Sequence, residues 1–301
     1  MKEIELGIIG SSSMVGSRFC ELAEPDFKLI KADFKGEIPV DITKEESVFD
    51  FFKKHGFSWA ILFSAFTDVD AAEKQRHDKD NSCWQINVEG TKNVVRACQK
   101  TGRNLIFIST DFVFDGTRGP YDEEDITGLP DKLSWYGLTK LEAEEIVRKD
   151  LKNYIILRIT YPYRGKFAPK DDLAKRILRL YRNQALYPMF TDQITTPTFI
   201  DDLAPGLSLL INGNQTGIFH LASPEIATQY DFAKEVVSVF GGDPNEVKKG
   251  LLREFARNPN SAPRPVNGGL KVDKIIKAGF KPTNWKEGIS KIYEQSQGEL
   301  L

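Results

Sequence analysis

Short apolar runs, separated by longer stretches in which apolar positions recur every three or four residues, set the rhythm of the first half of the chain. The runs Ile4 to Ile9, Lys28 to Asp33, Trp59 to Ala65, Asn104 to Thr110 and Tyr154 to Thr160 have the length and content of strands. Between them, the segment from about Cys83 to Lys100 puts Val88, Thr91, Val94, Val95 and Cys98 on one helical face. Thr43-Lys44-Glu45-Glu46 has the form of a capping box opening a helix through about Lys54. Strands alternating with amphipathic helices predict βα units on a parallel sheet, an α/β fold of the Rossmann-type, doubly wound kind. From about Gly165 the alternation fades. Pro169 to Asn183 reads as a polar helix, YDFAKEVVSVF (Tyr230 to Phe240) as an amphipathic helix with Tyr230 in the core, and PRPVNGG (Pro263 to Gly269) as a loop rich in turn residues. The expected organisation is a first domain over 1–164 and a smaller C-terminal cap over 165–301, with parts of about 190–223 returning to the first domain.

Composition narrows the class of ligand. The 301 residues suffice for one large domain or two closely packed ones, and 41% hydrophobic with 28% charged residues is ordinary for a globular protein. A formal net charge of −2 gives no electrostatic footprint for nucleic acid, and no run of lysines and arginines suits a membrane surface. A small ligand in a specific pocket is the expectation. Three cysteines (Cys20, Cys83, Cys98) without CxxC spacing point to buried thiols in a reducing compartment, and three scattered histidines give no metal site. With no apolar stretch approaching the length of a membrane span and no apolar leader, a cytoplasmic protein is expected.

Candidate chemistry sits at strand ends. The loop Gly10-Ser11-Ser12-Ser13-Met14-Val15-Gly16 follows the first strand and opens the first helix, where a dinucleotide pyrophosphate sits in such folds. Ser13 occupies the middle position where a glycine is usual. Asp33, at the end of the second strand, can accept hydrogen bonds from a ribose diol and repel a 2′-phosphate, whereas its neighbours Lys31 and Lys35 could pair with one. The fourth strand ends in Thr110, and Tyr136 and Lys140 in WYGLTK stand four apart on the face of a helix. A nearby ammonium would lower the phenol's pKa while Thr110 held a substrate oxygen by hydrogen bond. Tyr230 and Lys234 share that spacing but have no strand-end hydroxyl before them.

Several ordered motifs carry a family resemblance. AFTDVDAAE (Ala65 to Glu73), NVEGT (Asn87 to Thr91), ISTDFVFDG (Ile108 to Gly116), Pro120-Tyr121, YGLTK, LRITYPY (Leu157 to Tyr163), TDQITTPTFIDDLA (Thr191 to Ala204), GIFHLA (Gly217 to Ala222) and RPVN (Arg264 to Asn267) follow one another as in the extended short-chain dehydrogenase/reductases. Within them the chain is most similar to the dTDP-4-dehydrorhamnose reductase family. The resemblance implies a catalytic triad of Thr110, Tyr136 and Lys140, with Lys140 also holding the nicotinamide ribose of NADPH or NADH. It implies a cofactor site of Gly10, Ser12, Ser13, Met14, Val15, Gly16, Asp33, Asp41, Ile42 and Ala65, with Asp41 and Ile42 bordering the adenine. Thr67, Val69, Phe112, Tyr161 and Arg264 would contact a nucleotide-sugar substrate, reduced at C4 of a 4-keto-6-deoxy sugar, and a homodimer is compatible with it. The chain departs from the family at Ser13, in a longer loop between Thr110 and Tyr136, at Tyr161 in place of a tryptophan, and at Gly268 and Gly269. Phe112 after Thr110-Asp111 stands against a dehydratase, which resembles T-D-E there; a 4-epimerase, another nucleotide-sugar reductase, or a regulatory subunit like the beta subunit of methionine adenosyltransferase shares the scaffold.

Overall fold

A computed structural model describes residues 4–257 and 261–301. The apolar runs form β1 (Glu5–Ile9), β2 (Lys28–Ala32), β3 (Trp59–Leu62), β4 (Asn104–Thr110) and β5 (Tyr154–Ile159), and all pair in parallel. Helices α1 (Met14–Ala23), α2 (Glu45–Lys54), α3 (Val69–Glu73), α4 (Ser82–Trp84), α5 (Thr91–Thr101) and α6 (Trp135–Asp150) connect them. The strands alternate their side chains between faces. Leu6, Ile8, Ile61, Ile106 and Leu157 enter one apolar cluster, while Ile9, Leu62, Leu105, Phe107 and Ile156 enter the other. This double burial is what a parallel sheet covered on both sides requires.

The rest of the chain comprises α7 (Leu173–Arg182), the two-residue strands β6 (Met189–Phe190) and β7 (Ile194–Thr195), α8 (Leu203–Asn212), β8 (Gly217–His220), β9 (Ala227–Thr228), α9 (Gln229–Val239), β10 (Lys249–Gly250), α10 (Leu252–Phe255), α11 (Asp273–Lys277) and α12 (Trp285–Ser296). β8 joins the main sheet beside β5, giving the order β2-β1-β3-β4-β5-β8. A third apolar cluster gathers Ala174 and Ile177 from α7, Phe232 and Val236 from α9, and Ile289 and Ile292 from α12. Tyr230 is partly buried against that cluster, with Lys234 and Lys249 ammonium groups 5.6 and 5.5 Å from its ring centre.

Local details differ from the sequence reading for identifiable reasons. α2 begins at Glu45 with Lys44 as its cap and no side-chain capping bond. Thr43 instead gives its hydroxyl and its backbone N–H to Asp41 Oδ1 at 2.6 and 3.0 Å, so the expected capping box is absent. The helix expected over Cys83 to Lys100 is interrupted by a π-helical turn at Gln85–Gly90. β3 stops at Leu62, so Phe63 to Ala65 form the loop beyond its end, and the polar helix starts only at Leu173, capped by Asp172. All three cysteines are buried thiols, and among the described residues no helix is long and apolar enough to cross a membrane.

Candidate active site

The loop after β1 has no room where its two glycines stand. A Cβ on Gly10, whose φ is +90°, would lie 2.5 Å from the Ser64 backbone nitrogen, and one on Gly16 would lie 2.3 Å from the Gly10 carbonyl oxygen. Ser13 needs no such freedom, because its φ is −64°. Its hydroxyl donates to the Gly10 carbonyl at 2.7 Å and accepts from the Gly16 N–H at 3.0 Å, capping α1. The serine thus closes the turn from within rather than blocking its mouth. Met14 and Val15 form the first turn of α1, whose N-terminal dipole and amides favour an anion.

Asp33 follows β2 and ties the same loop down: its Oδ2 accepts from Ser12 N–H at 2.9 Å and its Oδ1 from Phe34 N–H at 2.7 Å. Lys31 pairs with Glu24, whereas Lys35 is exposed. The Ile42 carbonyl accepts from Asn93 Nδ2 at 2.9 Å, and Ile42 packs where a Cβ on Gly90 would otherwise lie 2.8 Å away. The glycine of NVEGT therefore has a packing reason. Asn87 of that motif clamps the loop after Ala65: its Oδ1 accepts from Phe66 N–H (2.8 Å), and its Nδ2 donates to the Phe66 carbonyl (3.1 Å) and to Thr139 Oγ1 (3.0 Å). Thr139 lies between Tyr136 and Lys140, so Asn87 links the loop to α6.

Thr110, Tyr136 and Lys140 are brought to one place by the end of β4 and the start of α6. Ser134 caps α6, accepting from Gly137 N–H at 3.0 Å, and Trp135 N–H donates to Glu73 Oε2 at 2.8 Å. Gly137 is required by close approach, since a Cβ there would lie 2.2 Å from the Phe112 carbonyl oxygen. The Thr110 hydroxyl faces the Tyr136 phenol, donates to Asp111 Oδ1 at 3.4 Å and accepts from Phe112 N–H at 3.2 Å. Burial holds that phenol well above its ordinary pKa, the facing Thr110 hydroxyl opposes this, and the nearby Asp111 adds to it. Lys140, 2% exposed, donates from Nζ to the Ile108 carbonyl at 2.8 Å and lies 3.9 Å from the Phe107 ring centre. Burial brings its pKa down to about 7, and the Glu144 charge works against that fall. The expected lowering of the phenol by the ammonium is therefore not what these positions produce. In the chain alone the phenol stays protonated, which is the form a proton donor needs.

Beyond the triad an aromatic wall continues. The Phe112 ring meets Tyr136 edge-on at 5.7 Å and Tyr161 at 6.4 Å. Tyr161 has φ +39°, a conformation costing a non-glycine residue on the order of 1–3 kcal/mol and often found at functional sites. Its hydroxyl accepts from Gln193 Nε2 at 2.9 Å, and the same nitrogen donates to the Pro265 carbonyl at 3.1 Å. Gln193 Oε1 is buried without a protein partner. Thr67 is exposed and accepts from Lys170 Nζ at 2.8 Å; Val69 starts α3, and Arg264 bonds Asp70 in that helix at 2.7 Å. Asp111, 2% exposed, accepts from the Thr110 hydroxyl at 3.4 Å; burial raises its carboxyl to about 6, against the neighbouring Thr160 hydroxyl and Gly269 N–H, which favour the charged form. Gln193, Lys170 and Asp111 were missed as site residues by sequence reasoning. Gln193 and Asp111 lie inside quoted motifs, while nothing local marks Lys170.

Comparison with known proteins identifies the family. A family model described as the RmlD substrate binding domain matches residues 4–297. The chain is similar to a dTDP-4-dehydrorhamnose reductase of Mycolicibacterium smegmatis, 29% identical with 94% of this chain and 83% of the relative covered. It is also similar to one of Sinorhizobium fredii, 28% identical with 96% of each covered. Among solved structures, the dTDP-4-dehydrorhamnose reductase of Bacillus anthracis in complex with NADP superposes with a TM-score of 0.85 at 27% identity, covering 97% of this chain and 99% of that one.

Proposed function

Since the chain belongs to the family described by the RmlD substrate binding domain, we propose that it is an NAD(P)H-dependent reductase of dTDP-4-dehydrorhamnose, forming dTDP-rhamnose. The observation that carries this reading is the meeting of a strand-end hydroxyl, Thr110, with a protonated, half-buried phenol, Tyr136, one helical turn from Lys140. Gly10 and Gly16, neither of which has space for a side chain, and the first turn of α1 fit a cofactor pyrophosphate. Asp33 would accept from the adenosine ribose, and Asp41, Ile42 and Ala65 would border the adenine and the rest of the cofactor. A bound reduced nicotinamide would supply the hydride to C4.

The chain's own groups handle the oxygen and its proton. Thr110 donates a hydrogen bond to the keto oxygen, and Tyr136 passes its phenolic proton to that oxygen as the alkoxide develops, leaving phenolate. Lys140, held by the Ile108 carbonyl, would donate to the nicotinamide ribose. Proton donation of this kind is typically worth a rate factor of about 10² to 10⁴. Thr67, Val69, Phe112, Tyr161 and Arg264 line the sugar-nucleotide side, where the buried Gln193 Oε1 offers an acceptor to a ligand hydroxyl. Residues 1–164 would form the cofactor domain, which also reaches the substrate through Thr67, Val69, Phe112 and Tyr161, and 165–301 a smaller substrate-binding region, with about 190–223 returning to the first domain; β8 in the main sheet and the separate cluster under α7, α9 and α12 support that division. Three buried thiols suit a cytoplasmic location.

Purified protein supplied with dTDP-4-dehydro-β-L-rhamnose should oxidise NADPH or NADH and yield dTDP-rhamnose. Absence of turnover with both cofactors would sink the assignment.

A further inference from the structure

The last three residues of β4 each hold a different group of α6. The Ile108 carbonyl accepts from Lys140 Nζ (2.8 Å), Ser109 Oγ donates to Glu144 Oε1 (2.5 Å), and the Thr110 hydroxyl meets the Tyr136 phenol. Tyr136, Lys140 and Glu144 follow one another at intervals of four and so share a helix face. Glu144 is 0% exposed and is gripped by Arg158 of β5 through two bonds, Nε to Oε1 at 2.9 Å and Nη2 to Oε2 at 2.6 Å. Arg158 stands opposite Ser109 across the β4–β5 ladder, and its Nη1 reaches His220 Nε2 on β8 at 3.4 Å. Burial and the Arg158 charge keep His220 neutral, so its Nδ1–H donates to the Lys271 carbonyl at 3.1 Å. A buried ion pair gains little net stability over well-packed apolar residues, because its desolvation cost is large. The fold by itself gives no reason to keep this one behind the lysine.

We propose that Glu144, clamped by Arg158 and Ser109, is a positioning residue of the site: it fixes the rotation of α6 against β4, so that Tyr136 meets Thr110, and sets a negative charge one turn behind Lys140. The inference rests on the proposed roles of Tyr136 and Lys140. Lys140 shares its helix face with Tyr136 and Glu144 and faces the Cys83 thiol on α4, with Arg158 of β5 behind Glu144; Asp111, past the end of β4, acts on Tyr136. Glu73 of α3 is nearby but already pairs with Arg76, and α5 meets α6 through Gln99, which donates to the Asp150 carbonyl. Of these, Glu144 opposes the effect of burial on Lys140 most strongly, followed by Cys83.

The titration of Lys140 in the full chain, followed by NMR on isotope-labelled lysine and assigned with Lys140→Arg, tests this without turnover. Glu144→Gln leaves Arg158 unbalanced and should move the midpoint down by about one pH unit or more; Arg158→Gln leaves Glu144 unbalanced and should move it up. A midpoint unchanged in Glu144→Gln, or displaced the same way in both variants, overturns the inference. Where either variant fails to fold, Ser109→Ala, which removes one anchor of Glu144, should lower kcat at least about threefold with KM unchanged, a transition-state effect; an unchanged kcat overturns it equally. Opposite displacements in a protein without reductase turnover would leave the charge placement standing and remove only the functional reading.

Discussion

At the scale of single residues, the departure from the family pattern at Ser13 explains itself through hydrogen bonds that sequence spacing does not reveal. Ser13 replaces a glycine because its hydroxyl spans Gly10 and Gly16, two residues whose own lack of a side chain is enforced by backbone atoms less than 2.6 Å from any added Cβ. Those two glycines were legible from their place between strand and helix; the bridging serine was not. Asp33 was also legible, but its second task, holding Ser12 N–H, appears only in the fold. That double role shapes a prediction. Asp33→Asn keeps an acceptor for Ser12 while removing the charge that repels a 2′-phosphate. The ratio of kcat/KM for NADPH over NADH should rise by about tenfold, equivalent to about 1.4 kcal/mol, as measured by steady-state kinetics with both cofactors. An unchanged ratio would mean that Asp33 serves the loop alone.

At the scale of elements, the pairing of β4 with α6 determines what the site can do. β4 was visible as an apolar run ending in hydroxyls and α6 as a helix bearing Tyr136 and Lys140, because strand content and helical spacing are local properties. Their mutual register was not visible, since it depends on Asn87 reaching Phe66 and Thr139, on Ser109 reaching Glu144, and on Gly137 lying against the Phe112 carbonyl. The missed π-helical turn at Gln85–Gly90 and the absent capping box at Thr43 have the same origin, a tertiary partner outcompeting a local preference. Gly137→Ala forces α6 away from Phe112, and with it Tyr136 from Thr110. We expect kcat to drop by about 10² while far-ultraviolet circular dichroism stays that of the wild type. Wild-type kcat in this variant would show that the contact can relax without cost to the site.

At the scale of the whole molecule, the site is closed by segments remote in sequence, and Asp111 is where they meet. Its carboxylate accepts from Thr110 of β4 and is neighboured by Thr160 from the end of β5 and the Gly269 N–H from the loop after RPVN. Burial raises this carboxyl from 3.8 to about 6, so ionising it opposes folding. Between those two values the folded state holds the proton more tightly than the unfolded chain, and stability from this group falls as pH rises through the window. The full penalty, on the order of 3 kcal/mol, is present above about pH 6. Asp111→Asn lacks this term, so the melting temperature of the variant relative to wild type should improve as pH is raised from 4 to 6, as scanning calorimetry of the cofactor-free protein would record. A difference independent of pH would show that Asp111 ionises without penalty.

The doubly wound sheet was readable from the chain, as were Thr110 at a strand end and Tyr136 with Lys140 on one helix, whereas the contacts that Gln193, Lys170 and Arg264 make with Tyr161, Thr67 and Asp70 required the folded cap. The central claim is that Tyr136 gives its proton to a sugar oxygen. Its most direct test is to measure, side by side for wild type and Tyr136→Phe, kcat for oxidation of the reduced cofactor by dTDP-4-dehydro-β-L-rhamnose and the Kd of that cofactor by fluorescence. Loss of kcat by about 10² to 10⁴ with Kd unchanged is the expected result; kcat retained in Tyr136→Phe would contradict it.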